Sequence, residues 1–198
     1  NCSNDVVSAL TRSSQPVPAH IRSRPCRPVA RLFANSAESS DAGPMLERRT
    51  GDGFMRCSDG HVRWGVYGAA GVVFVVRDDA TRVMLQKRSA FAHEGGTWSC
   101  AGGALDLGET PLEGALREAS EEVGEIPSDA RVIGDYVFVP ATDWTYTTVV
   151  VEVDEPFGES INFETDAVGW FTLAEVDGLA LHAGFASAWP HVRAIIDR

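Results

Sequence analysis

No stretch of this chain approaches the roughly 18 to 20 consecutive apolar residues that a membrane-spanning helix needs, so no membrane partner is expected. Cysteine is scarce: four residues, at 2, 26, 57 and 100, with no CxxC pair among them. Spacing this wide gives neither a zinc nor a redox motif, and a chain of 198 residues can bury a core without a disulfide scaffold. Reduced thiols, and with them a cytoplasmic location, are the expectation. No internal repeat is visible, and residues 1 to 37 contain no compact apolar segment of the signal-peptide kind. Basic residues are also in deficit. Lys and Arg number 17 against 28 Asp and Glu, a net charge of −11. Such a chain repels a nucleic-acid backbone, and no nucleic-acid partner is expected. A phosphorylated small molecule could still bind, provided a metal cation or a local basic group offset the charge.

The acidity is unevenly spread. The first 44 residues hold five arginines and three acids, which leaves 12 basic and 25 acidic residues in the remaining 154. Residues 1–44, rich in Ser, Pro and Arg, read as a disordered leader whose composition resembles a transit peptide. Residues 45–198 read as the folded domain.

Within that domain, Phe54 to Cys57 and His61 to Trp64 flank Ser58-Asp59-Gly60, the signature of a β-hairpin. Cys57 and His61 alone are too few ligands for a zinc site. Val66 to Val76 is an apolar run that reads as one long buried strand, with Arg82 to Arg88 as its partner. Ser89 to Gly96 reads as a loop and Thr97 to Cys100 as a short strand. Thr110 to Val123 is the clearest helix. Thr110 suits the N-cap, Pro111 the first helical position, and Glu113 completes a T-x-x-E capping box, while Gly124 is a suitable stop. Leu112, Ala115, Leu116, Ala119 and Val123 fall on one face and should meet the core. Arg131 to Val139, Thr145 to Val153 and Val168 to Phe171 read as strands, Pro156 to Phe163 as a polar loop, and Phe185 to Ile196 as a last helix. The mixture predicts an α/β (α+β) fold, a mixed sheet between helices.

Glu118, Glu121 and Glu122 stand at i, i+3 and i+4 of the clear helix, which gathers three carboxylates on one side. Like charges at this spacing disfavour the helix, and a divalent cation would reverse that penalty, since hard cations prefer oxygen ligands. Upstream, Gly102 to Glu109 reads as a glycine-punctuated loop able to approach a ligand closely. Gly114, one turn before Glu118, should leave the acidic face uncrowded. Arg117, the only base in the helix, can pair with Glu109 and hold loop to helix.

These residues resemble the Nudix box, G-x5-E-x7-R-E-U-x-E-E-x-G-U with U bulky and aliphatic. The match runs through Gly103, Glu109, Arg117-Glu118, Glu121-Glu122 and Gly124. Ala119 and Glu125 depart from the U positions, which serve packing. The resemblance extends loosely from about Trp64 to Phe171, through Gly96-Thr97-Trp98 and Trp170-Phe171.

The resemblance to the Nudix hydrolases implies an α/β/α sandwich and hydrolysis of a nucleoside diphosphate linked to another group X. It implies Mg²⁺ as cofactor, with Mn²⁺ as a substitute, held by Glu118, Glu122 and the carbonyl of Gly102, and with Glu121 binding a further metal or activating water. Arg117 and Glu109 become the orienting pair. The base in many such enzymes comes from a later loop, which points to Glu164 or Asp166. Arg88 is expected near substrate phosphate. Trp144 and Tyr146, two apart on a strand, offer aromatic rings for a nucleobase. Cys100 reads as a core thiol. Pro140 lies 15 residues after Glu125, near where ADP-ribose pyrophosphatases carry a proline. The implied partner is a small nucleotide, and a homodimer is compatible with the reading. A nucleotide-sensing module without turnover is the alternative. Isopentenyl diphosphate isomerase shares the fold but expects cysteine and glutamate motifs not found around Trp98 to Gly103.

Overall fold

The computed structural model describes residues 50–90, 94–160 and 165–198, together with the backbone of 20–22 and 27–28. Among these residues the chain forms a nine-stranded mixed sheet, a separate two-stranded hairpin and three helices. The expected α/β sandwich is observed.

The sheet is organised around β5 (Ala69–Arg77). Its partners are β10 (Trp144–Val153), which runs parallel, and β6 (Thr81–Arg88) and β8 (Ala101–Ala104), which run antiparallel. From β10 the sheet continues to β9 (Arg131–Ala141), and from β6 to β11 (Thr165–Thr172) and the short β7 (Trp98–Ser99). Two segments of the N-terminal stretch, β1 (His20–Arg22) and β2 (Arg27–Pro28), pair antiparallel with β9. The rest of the leader expected over residues 1–44 lies outside the described residues.

Both faces of β5 are covered, which is why its sequence is an unbroken apolar run and not an alternation. Ala70, Val72 and Phe74 face helix α1 (Pro111–Val123), meeting Ala115, Leu116, Ala119 and Val123. Val73 and Val75 face helix α3 (Ala183–Ile196), meeting Phe185, Trp189, Val192, Ile195 and Ile196. Each side chain of this size contributes roughly 1.5–3 kcal/mol on full burial, so the two layers supply most of the cohesion.

Helix α1 starts as its sequence predicts. The Thr110 side chain accepts from the Glu113 amide at 3.3 Å, and the Glu113 carboxylate accepts from the Thr110 amide at 2.9 Å. A second capping box, Thr172 with Glu175, starts a one-turn helix α2 (Leu173–Val176) that the sequence reading passed over, because four residues carry no visible periodicity.

Other boundaries move for physical reasons. The apolar run from Val66 does not begin as strand. Val66 and Tyr67 lie exposed in a turn between Gly65 and Gly68, and β5 opens at Ala69. Gly102 and Gly103, expected in a loop, belong to β8 and pair with Gly71 and Ala70. The final sheet strand extends on both sides of Val168–Phe171. The Asp59-Gly60 hairpin forms as read, with β3 (Phe54–Arg56) against β4 (Val62–Trp64). No helix among the described residues is long and apolar enough to cross a membrane.

Candidate active site

The edge of α1 nearest β8 carries the candidate side chains. Glu118 and Glu122, one turn apart, both lie against the Gly102–Gly103 segment. A Cβ at Gly103 would fall 2.5 Å from the carboxylate carbon of Glu118, so only glycine admits that side chain there. The Gly102 amide donates to Glu122 Oε2 at 2.8 Å.

Arg117 is the hub of the loop. Its Nε and Nη2 donate to the two oxygens of Glu109 at 2.9 and 3.0 Å, Nη2 also donates to the Ala104 carbonyl at 2.9 Å, and Nη1 donates to Glu118 Oε1 at 2.8 Å. Glu109 in turn accepts from the Asp106 amide at 2.9 Å. The expected Arg117–Glu109 pair is thus present as a two-pronged clamp that ties the box loop to both β8 and α1. The Glu109 hydrogen bond, against the opposing effect of burial, holds the guanidinium well above its ordinary pKa.

Glu118 feels opposing influences. Burial raises its pKa, and repulsion from Glu121 and Asp52 adds to this. The Arg117 hydrogen bond pulls the other way without cancelling it. A carboxylate whose charged form is disfavoured mainly by burial is one that a cation relieves.

Glu121 differs from the other two glutamates in its exposure. Glu121 points to solvent, with its side chain 61% exposed and its carboxylate 3.7 Å from Arg117 Nη1. Among the described residues no three His, Cys, Asp or Glu side chains converge into a cage for a metal ion. Glu118 and Glu122 lie at the edge of α1 that meets β8, and Glu121 lies beside Arg117 on the same helix. The carboxylates of Glu118 and Glu122 are an oxygen donor pair of the kind a hard divalent cation such as Mg²⁺ takes. This ion keeps several waters and is usually held by one or two carboxylates plus substrate phosphate.

The role expected for Gly114 is corrected. A Cβ there would meet Leu105 Cδ2 and lie 3.0 Å from Glu109 Oε2, so the space it leaves is filled by the box loop and not by a ligand on the acidic face.

Trp144 is also corrected. It is 8% exposed, its Nε1 donates to the carbonyls of Trp64 and Gly65 at 3.2 and 3.1 Å, and the Arg63 guanidinium lies over its ring at 5.2 Å. The indole is packed beneath the β3–β4 hairpin and does not present itself to a base. Tyr146 is half-buried, and a register shift in β10 between the two residues removes the simple two-residue spacing. Its hydroxyl lies 3.6 Å from Cys100 Sγ, and burial raises its pKa well above the usual value. Cys100 is a free, buried thiol whose pKa burial also raises, as a core role requires. Arg88 ends β6 half-buried, opposite Thr165. Asp166 is exposed at the start of β11, and Glu164 lies outside the described residues.

Three candidates escaped the sequence reading. Gln86, in β6, donates from Nε2 to Glu122 Oε2 at 2.9 Å, and Thr165, in β11, donates from Oγ1 to Gln86 Oε1 at 2.9 Å. The available signal was a polar amide inside the apolar part of a core strand. A third residue, the exposed Asp52, acts electrostatically on Glu118, and nothing local in the sequence marks it.

Comparison with known proteins identifies the family. Residues 68–193 match the family described as the NUDIX domain. The chain is 41% identical over 153 residues to a putative 8-oxo-dGTP diphosphatase 3 of Mycobacterium tuberculosis, covering 74% of this chain and 70% of that one. It is 36% identical over 156 residues to a nucleoside triphosphate pyrophosphatase/Nudix hydrolase fusion protein of Bifidobacterium longum, of which it spans 32%. Among solved structures, RenU, a Nudix hydrolase from M. smegmatis, superposes with a TM-score of 0.68 at 34% identity, over 74% of this chain and 96% of that one. The chain belongs to the Nudix hydrolase family, as an enzyme of its pyrophosphohydrolase class.

Proposed function

We propose that this chain hydrolyses the diphosphate linkage of a small nucleotide, using a divalent cation, Mg²⁺ by preference, with Mn²⁺ as a substitute. The observation that carries the reading is the placement of Glu118 and Glu122 together against the Gly102–Gly103 segment, where a missing Cβ gives the Glu118 carboxylate its space. Glu118, Glu122 and the Gly102 carbonyl are the proposed main ligands, and Glu121 the proposed ligand of a further cation. When bound, the cation neutralises the diphosphate and lowers the pKa of an attacking water. The chain's own part is positioning. Arg117 and Glu109 hold the box loop to the helix, and Glu122 is fixed by two N–H donors.

Glu121, Asp166 and Glu164 are proposed as alternatives for the base that takes the water's proton, and Arg88 and Tyr146 as substrate contacts. Relatives named as 8-oxo-dGTP diphosphatases put an oxidised purine nucleoside triphosphate beside ADP-ribose as substrate class. The nucleotide-sensing alternative differs in one respect, the absence of turnover.

The experiment is a substrate panel of 8-oxo-dGTP, dNTPs, ADP-ribose, NADH and diadenosine polyphosphates, with Mg²⁺ or Mn²⁺, following product release. Turnover of at least one compound, dependent on the added cation, is expected. No turnover of any, with nucleotide binding intact, overturns the catalytic reading in favour of sensing. Light scattering on the same sample tests for a homodimer.

A further inference from the structure

We infer that Gln86 and Thr165 are positioning residues for Glu122. A buried relay, from the Thr165 hydroxyl through the Gln86 amide to the Glu122 carboxylate, sets the orientation in which that carboxylate meets a divalent cation. The inference rests on the metal-dependent reading above and adds two residues outside the box to it.

The relay is closed to water. Thr165 and Gln86 are each 3% exposed and Glu122 is 7% exposed. Its three members come from three elements, β11, β6 and α1, and both links measure 2.9 Å. The chemistry gives it a direction. An amide has a donor end and an acceptor end, and a carboxylate can face only the donor end. The NH₂ of Gln86 therefore points to Glu122, and its oxygen points to Thr165, whose hydroxyl becomes the donor. A hydroxyl that donates there keeps the amide from turning over.

The second grip comes from the Gly102 amide, which donates to the same Glu122 oxygen at 2.8 Å. Two donors from β6 and β8 converge on one oxygen of a side chain rooted in α1, so the plane of the carboxylate is set by the sheet and not by the helix. Packing alone does not call for this. The neighbouring residues of β6, Met84 and Leu85, are buried and apolar, and an apolar residue at 86 would serve the core equally well. Burying three polar side chains together costs desolvation, and in exchange a metal ligand is ordered before the cation arrives.

Mn²⁺ titration of the 198-residue chain without substrate, followed by the paramagnetic resonance signal of the free ion, tests the relay. Gln86→Met keeps the volume and removes the donor. Thr165→Val keeps the shape and removes the hydroxyl, and Thr165→Ser restores it. Replacing such a supporting partner typically weakens metal affinity by about 10- to 100-fold, and Gln86→Met is expected in that range. Thr165→Val is expected to weaken it less, and Thr165→Ser to bind as the wild type does. Circular dichroism identifies any variant that has not folded. Should Gln86→Met fail to fold, the Thr165 pair carries the comparison. Wild-type affinity in folded Gln86→Met, or in Thr165→Val, overturns the relay while leaving the metal reading in place. A wild-type chain that binds no Mn²⁺ overturns both.

Discussion

The carboxylate of Glu118 occupies the place where any side chain at Gly103 would have to begin. The two residues lie on different elements, β8 and α1, and a side chain at 103 would push the Glu118 carboxylate from its place.

Gly103→Ala should therefore displace Glu118 while β8 stays paired with β5. We expect turnover to fall by at least about tenfold, because a displacement of about 1 Å at a reacting group can cost 10²-fold. Far-ultraviolet circular dichroism should be unchanged. Full activity in the folded variant would show that Glu118 does not need its observed position.

Glu122→Gln preserves size and removes the charge. Turnover is expected to drop by on the order of 10²–10³-fold, the range of several kcal/mol of lost transition-state stabilisation. A steady-state assay at saturating substrate checks it, and near-normal turnover would contradict the ligand assignment.

Arg117→Lys keeps the charge and loses the fork that bridges Glu109, Ala104 and Glu118. Lysine is a point charge and cannot satisfy three acceptors at once in a planar array. Loss of about tenfold or more in kcat, with faster hydrogen exchange in residues 104–109, is the expected pair of results. Unaltered exchange there would mean the clamp does not order the loop.

Chelation offers a test without mutation. Excess EDTA should abolish turnover, and Mg²⁺ added back beyond the chelator should restore it. Activity that persists in EDTA would remove the divalent cation from the proposal.

At the far end of the sheet, Glu152 accepts from Arg77 at 2.8 Å and from Arg131 at 3.1 Å. Burial alone would raise its pKa, but the two arginines outweigh burial and lower it. A carboxylate whose pKa is lowered on folding adds stability above its unfolded pKa of about 4.3, and that stability is lost as pH falls through the folded value. Glu152→Gln should cost roughly 0.5–1 kcal/mol at pH 7, in keeping with a partly exposed pair. The difference from wild type should shrink as pH falls below the unfolded value and vanish once the folded carboxylate is itself protonated. A gap that persists in acid would point to packing and not charge.

Several features were legible before any coordinates. The capping box Thr110–Glu113, the Pro111 start and the Gly124 stop are local, each decided within one turn of chain, and the helix forms between them. The Asp59-Gly60 hairpin is local in the same sense. The double-sided burial of β5 was announced by its unbroken apolar run. The Arg117–Glu109 pair, eight residues apart, was reachable because the box pattern holds the spacing. Misreadings arose where distant neighbours decide. Alternation along β10 put Trp144 and Tyr146 together, yet the hairpin covers Trp144.

The sequence by itself determined the family, the helix with its caps, and the identity of the acidic side chains, because each depends on residues close along the chain. Only the tertiary structure decided which carboxylates face the glycines and which partners orient them. Gln86 lies 36 residues from Glu122 and 79 from Thr165, and no local rule relates side chains so far apart until the sheet brings β6, β11 and α1 together.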